Sequence, residues 1–168
     1  MKTLAIDIRK AEPGDAEAIA EVHHDAWRGA YSGIIPHRAL TAMISRRGRE
    51  WWANAIRRAA SVLVVEVGGE VAGYATIGRN RARELRQEGE IYELYLRPEY
   101  QGIGLGTRLF AEARARLRGH GLKGLVVWAL EENAGALDFY ASSGGRDVAE
   151  GVEVFDQKAL RKVAFVWD

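Results

Sequence analysis

The chain has 168 residues, a net charge of +1 and no cysteine, which suits one domain spanning 1–168 and excludes disulfides, thiolate metal sites and a cysteine acyl-enzyme. Its 48% hydrophobic content argues against disorder, and its near-neutral charge offers no general field to hold nucleic acid. The opening Met1–Asp7 carries too short an apolar run for a signal peptide and no stretch approaches the roughly 20 apolar residues of a membrane span, so a cytoplasmic protein with neither membrane nor nucleic-acid partner is expected.

In chain order, Leu4–Lys10 reads as a first strand. Pro13-Gly14-Asp15 opens a helix with Asp15 at the N-cap, and Ile19, Val22 and Ala26 form its buried stripe before it ends near Trp27 to Tyr31. A second helical region runs from about Arg38 to Ala60, broken near Gly48 and carrying Trp51 and Trp52. Ser61–Val67 and Val71–Gly78 read as strands joined by the two-residue turn Gly68-Gly69. Arg79–Gly89 is a charged loop, and 90–96 is a strand ended by Pro98. A helix over Thr107–Arg118 follows, with Leu109, Ala113 and Leu117 at four-residue spacing. A strand over Gly124–Leu130, a helix over 133–143 and strands near Arg146–Val154 and Arg161–Trp167 complete an α+β order around one mixed sheet.

Gly102, Gly104 and Gly106 sit between a strand and a helix. A glycine turn at a helix N-terminus leaves free N–H groups and the positive end of the helix dipole, which together hold phosphate. A Walker loop would need lysine at the helix start, and a dinucleotide fingerprint would need its third glycine one position later. What remains is Gln-x-x-Gly-x-Gly at Gln101–Gly106. With it goes Asn133-Ala-Gly-Ala-Leu-Asp-Phe-Tyr140-Ala-Ser-Ser-Gly144, in the form Asn-x-x-Ala-x-x-Phe-Tyr-x-x-x-Gly. In these two blocks, and in Trp27–Pro36, the chain resembles the GNAT superfamily of acetyl-CoA-dependent N-acetyltransferases. One departure is Gly145, where the family usually has an aromatic residue, which points to altered packing near the last strands.

The resemblance implies a central mixed β-sheet flanked by helices, acetyl-CoA as cosubstrate and no metal. It implies transfer of the acetyl group to a primary amine by direct attack in a ternary complex. The alternative is a catalytically silent acyl-CoA-binding sensor. Acceptors left open are a small-molecule amine and a protein N-terminus or lysine, and a homodimer is also left open. By the same resemblance the backbone of Leu94, Tyr95 and Leu96 pairs with the pantetheine arm. Gln101, Gly102, Ile103, Gly104, Leu105, Gly106 and Thr107 hold the pyrophosphate, Asn133 either bonds the arm or caps its helix, and Tyr140 faces the cofactor sulfur.

Freeing the lone pair of a lysine-like amine (pKa about 10.4) at neutral pH costs roughly 4–5 kcal/mol, so a base is needed. Glu90 and Glu93 are the strand carboxylates, and their odd offset puts them on opposite faces of a regular strand. Glu90 lies eleven residues before the motif glutamine, where several family members carry their catalytic glutamate, and parity puts it on the side of Leu94 and Leu96. His23 and His24 are further candidates, although adjacent histidines are more often at the surface. Trp27, Tyr31, Trp51 and Trp52 flank the region that usually shapes the acceptor pocket. The arginines at 46, 47, 49, 57 and 58 and at 79, 81, 83 and 86 read either as solvated faces or as attraction for an anionic ligand.

Overall fold

Hydrophobic stripes on both sides of one seven-stranded sheet organise the computed structural model, which describes residues 4–58 and 61–168. The elements are β1 (Ile6–Lys10), α1 (Ala16–Tyr31), α2 (His37–Arg46), α3 (Arg49–Arg57), β2 (Ser61–Val67), β3 (Glu70–Arg79), β4 (Gly89–Leu96), α4 (Leu105–Gly119), β5 (Leu125–Leu130), α5 (Ala134–Ser142), β6 (Arg146–Phe155) and β7 (Lys158–Trp167). The strand order is β1-β2-β3-β4-β5-β7-β6, antiparallel everywhere except between β4 and β5. On one face Leu105, Leu109, Ala113 and Leu117 of α4 pack with Ile77, Ile91, Leu96 and Val127, and α5 adds Tyr140. On the other, Ile19 and Val22 of α1 and Trp52 and Ile56 of α3 pack with Val62, Val64 and Tyr74.

The helical region expected over Arg38–Ala60 is two helices, and the break falls at Arg47-Gly48; residues 59 and 60 lie outside the described residues. Asp15 does stand at the N-cap of α1, but its carboxylate makes no bond to that helix. It accepts the Glu12 amide and pairs with Arg9, whose guanidinium is the main cause of its lowered pKa. Gly68 and Gly69 have φ of 59° and 84°, so the β2–β3 turn is formed as read. The β6–β7 turn uses the same left-handed backbone at Asp156 and Gln157 (φ 49° and 71°) without glycine, and β7 therefore starts at Lys158 rather than Arg161. At Gly145 an added Cβ would lie 2.6 Å from the Trp167 ring. Trp167 thus fills the space of the missing aromatic residue, and its indole donates to the Ser143 carbonyl (3.0 Å).

Two irregularities shape the middle of the sheet. The β3–β4 ladder shifts register between Thr76 and Ile77, which pair with Glu93 and Ile91, so Tyr92 is the extra residue of a β-bulge. β4 and β5 pair only over Gly89–Ile91 and Leu125–Val127 and are unpaired with each other beyond that. The sheet therefore opens into a wedge between Tyr92–Leu96 and Trp128–Leu130.

Candidate active site

The wedge continues into a cleft of about 740 Å³, lined by Glu93–Leu96 of β4, the 101–107 turn, Val127–Ala129 of β5, Asn133 to Tyr140 around α5, and Ala26 to Tyr31 of α1. At its floor the β4 edge beyond Ile91 has no β5 partner, so main-chain groups there are free to bond a ligand. At one end Gly102 and Gly104 turn the chain into α4 with φ of 79° and 88°. Nothing lies within 4 Å of where a side chain at either glycine would begin. Among the described residues the amides from Gly102 to Thr107 have no acceptor, and the first helical bond runs from Arg108 to Gly104. The Gln101 amide group donates to the Leu96 carbonyl (3.3 Å), tying the turn to the end of β4.

At the other end stand a phenol and a carboxylate. Tyr140, on α5, is buried among Phe110, Phe139, Phe165 and Trp167 and reaches the cleft. Burial, then the nearby Tyr31, pushes its pKa up, so the hydroxyl keeps its proton through the neutral range. Asn133 caps α5, its side-chain oxygen accepting from the Ala136 amide at 3.2 Å. The Tyr31 and Tyr95 hydroxyls meet at 2.5 Å beside it on the cleft wall.

The bulge sets the faces that the two glutamates take. With Tyr92 looped out, Ile91 joins Leu94 and Leu96 on the α4 face, and Glu90 and Glu93 both turn to the opposite one. The parity expectation that put Glu90 beside Leu94 and Leu96 is thereby corrected. Glu93 lines the cleft, with Oε2 accepting from the Tyr74 hydroxyl (2.8 Å) and Oε1 paired with Arg47. Glu90 is 2% exposed and lies outside the cleft, under the 80–88 segment. There it accepts the Arg81 amide (3.0 Å) and pairs with the Arg81 guanidinium (3.0 Å). Asn80 completes the anchor by donating to the Ala82, Leu85 and Gln87 carbonyls. What reads in sequence as a charged loop is thus an ordered strap. Glu90→Ala is expected to lower unfolding free energy by about 1–3 kcal/mol through the stranded Arg81 amide. Denaturant titration checks this, and an unchanged midpoint contradicts it.

Among the flanking aromatics Trp27, Tyr31 and Trp52 are core, whereas Trp51 is 41% exposed under the Arg47 guanidinium, 4.5 Å from its ring centre. Of the paired histidines His24 is exposed and His23 is fully buried. Sequence reasoning missed Arg47 and Tyr74 as partners of Glu93. The signal for His23 was there, because it continues the Ile19-Val22-Ala26 stripe. Burial chiefly, then the Arg47 charge, holds the His23 pKa at about 4, below its usual 6.5. The unfolded chain therefore binds a proton first as pH falls, and stability is lost between about 6.5 and about 4. The size is at most about 3 kcal/mol. Denaturation at pH 7 and pH 4 should show a flatter pH dependence in His23→Asn, and identical slopes would contradict the assignment.

The Acetyltransferase (GNAT) family model matches residues 18–144, which include the glycine turn, the wedge and α5. The chain belongs to the GNAT family. It is 30% identical over 96% of its length to the uncharacterized N-acetyltransferase YuaI of Bacillus subtilis, covering 92% of that protein. It is 28% identical to the spermidine N(1)-acetyltransferase of Thermoplasma acidophilum, over 84% of this chain and 88% of that one. The structure of YncA from Salmonella typhimurium, with its cofactor acetyl-CoA, superposes with a TM-score of 0.73 at 27% identity, covering 97% of this chain and 93% of that one. This GNAT protein is an acetyl-CoA-dependent N-acetyltransferase with the family's mixed sheet and flanking helices. No helix among its described residues is long and apolar enough to cross a membrane.

Proposed function

We propose that this enzyme transfers the acetyl group of acetyl-CoA directly to a primary amine, with Glu93 as base and Tyr140 as the acid for the departing sulfur. The observation that carries this reading is the cleft itself. It sets a row of free amides at one end against an ionisable carboxylate and a protonated phenol at the other. The Gly102–Thr107 amides and the α4 N-terminus suit a pyrophosphate. The free β4 edge at Leu94, Tyr95 and Leu96 suits the amides of a pantetheine arm, as an added strand would. Asn133 already serves its helix, so its part toward the arm is secondary.

Glu93 accepts a proton from the acceptor ammonium, and the freed nitrogen forms its bond to the thioester carbon. As the carbon–sulfur bond breaks, Tyr140 donates its proton or a strong hydrogen bond to the sulfur. The absence of cysteine from the sequence fits a single displacement with no acyl-enzyme on a thiol. Amines are the acceptors to try first, since a spermidine acetyltransferase is among the relatives. The test is acetyl-CoA consumption with a panel of polyamines, amino acids and peptides, with products identified by mass spectrometry. Acetylated amine and intersecting initial-velocity lines are expected. Binding of acetyl-CoA with no turnover on any amine would favour a sensor instead.

The turn gives a separate prediction. Gly104→Val puts a β-branched residue at φ 88° and fills the space in front of the amides. Affinity for acetyl-CoA is expected to fall at least about tenfold from the left-handed strain alone. Calorimetry on the folded variant checks it, and an unchanged dissociation constant contradicts it.

A further inference from the structure

Behind Glu93 runs a buried polar line that the transfer steps do not use. His23 and Tyr74 are both 0% exposed, enclosed by Trp27 and Trp52. His23 Nδ1 lies 3.1 Å from the Tyr74 hydroxyl, and that hydroxyl lies 2.8 Å from Glu93 Oε2. The line crosses from α1 through β3 to the cleft wall of β4. At its far end His23 Nε2 makes no hydrogen bond of ordinary geometry, although the Met43 main chain lies close enough to favour the protonated ring.

Counting protons fixes the direction of both bonds. A phenol has one proton, and an ionised carboxylate can only accept. Tyr74 therefore donates to Glu93, and its oxygen is left to accept from His23 Nδ1, with the Trp27 indole also bearing on it. A neutral imidazole carries its single proton on one nitrogen, and a Tyr74 hydroxyl that donates to Glu93 calls for that proton on Nδ1. Burial keeps both donors in the required forms: His23, with its pKa near 4, is neutral, and the Tyr74 hydroxyl is held protonated. Burying a histidine inside a wall of Trp, Ile and Val carries a desolvation cost that a leucine would avoid.

We propose that His23 and Tyr74 are positioning residues for Glu93, a neutral Nδ1–H imidazole orienting the Tyr74 hydroxyl so that it fixes the carboxylate in place. This deepens the assignment of Glu93 as the base and rests on it. The groups facing Glu93 are Arg47 after α2, Tyr74 on β3, Tyr31 on α1 and Tyr95 on β4. Arg47 supplies charge from a partly exposed side chain, whereas the Tyr74 hydroxyl is held within the core. Removing a hydrogen bond given to the charged form favours the neutral form.

The experiment is a ¹³C NMR titration of the Glu93 carboxylate, identified as the resonance lost in Glu93→Gln, together with pH–rate profiles. Both are run on the parent, Tyr74→Phe, His23→Leu and His23→Asn, the last of which keeps an N–H near the Nδ1 position. Tyr74→Phe is expected to move the carboxylate titration and the acidic limb of the rate profile to higher pH by about one unit. His23→Leu moves both the same way by less, and His23→Asn restores them towards the parent. ¹⁵N spectra of the parent should show the Nδ1–H tautomer. Unmoved titrations in Tyr74→Phe and His23→Leu, or an Nε2–H tautomer, overturn the proposal; if Tyr74→Phe fails to fold, the two His23 variants decide. A titration that moves while the rate profile stays put overturns the base assignment on which the proposal rests.

Discussion

Glu93→Gln is expected to lower kcat by about 10²–10⁴-fold at neutral pH and to remove the acidic limb of the pH–rate profile. Glutamine has the shape of glutamate and can still accept from Tyr74 or Arg47, so the side chain keeps its place at the cleft wall. What it lacks is a lone pair basic enough to take the ammonium proton. The variant should recover as pH rises towards the acceptor's own pKa, about 10.4 for a lysine-like amine, because the free amine then arrives ready to attack. Glu90→Gln is the matched control: its side chain sits under the 80–88 strap, away from the cleft, and turnover of the folded variant should stay near the parent's. Profiles for the three proteins with one good acceptor amine decide the matter. A Glu93→Gln profile that overlays the parent's would mean that the proton leaves by another route.

Tyr140→Phe is expected to lower kcat by about 10²-fold while leaving the acetyl-CoA dissociation constant nearly unchanged. The ring, which makes the aromatic contacts to Phe110, Phe139, Phe165 and Trp167, is retained. The substitution removes only the hydroxyl of a side chain that lines the cleft. Its use comes only as negative charge builds on sulfur. The deficit should therefore shrink with acetyl donors whose thiols are more acidic, because such sulfur leaves without help. A kcat equal to the parent's at saturating substrates would reduce Tyr140 to a packing residue.

The parts legible in the sequence were those governed by local rules. The glycine pair at 68–69, the glycine turn at 102–106, the break at Gly48 and the apolar stripe of α4 each follow from backbone freedom or helical period, and each is present in the fold. Face parity on β4 was not legible, because alternation presumes a regular ladder and one extra residue at Tyr92 reverses everything before it. The Asp156-Gln157 turn was hidden for the opposite reason: it takes a left-handed backbone with residues that do not advertise it. Arg47 and Tyr74 reach Glu93 from a helix end and a neighbouring strand, contacts that only the assembled sheet creates. His23 shows both sides of the problem. Its place on the α1 stripe could be read in the sequence, but its neighbour His24 made the pair look like surface.

The central claim is that the wedge between β4 and β5 holds acetyl-CoA with its thioester between Glu93 and Tyr140. A crystal structure of the enzyme soaked with coenzyme A tests that most directly. The account predicts the pyrophosphate on the amides of Gly102 to Thr107, the pantetheine arm along Leu94–Leu96, and the sulfur within about 3.5 Å of the Tyr140 hydroxyl. A cofactor seated elsewhere, or a sulfur pointing away from both Tyr140 and Glu93, would contradict it.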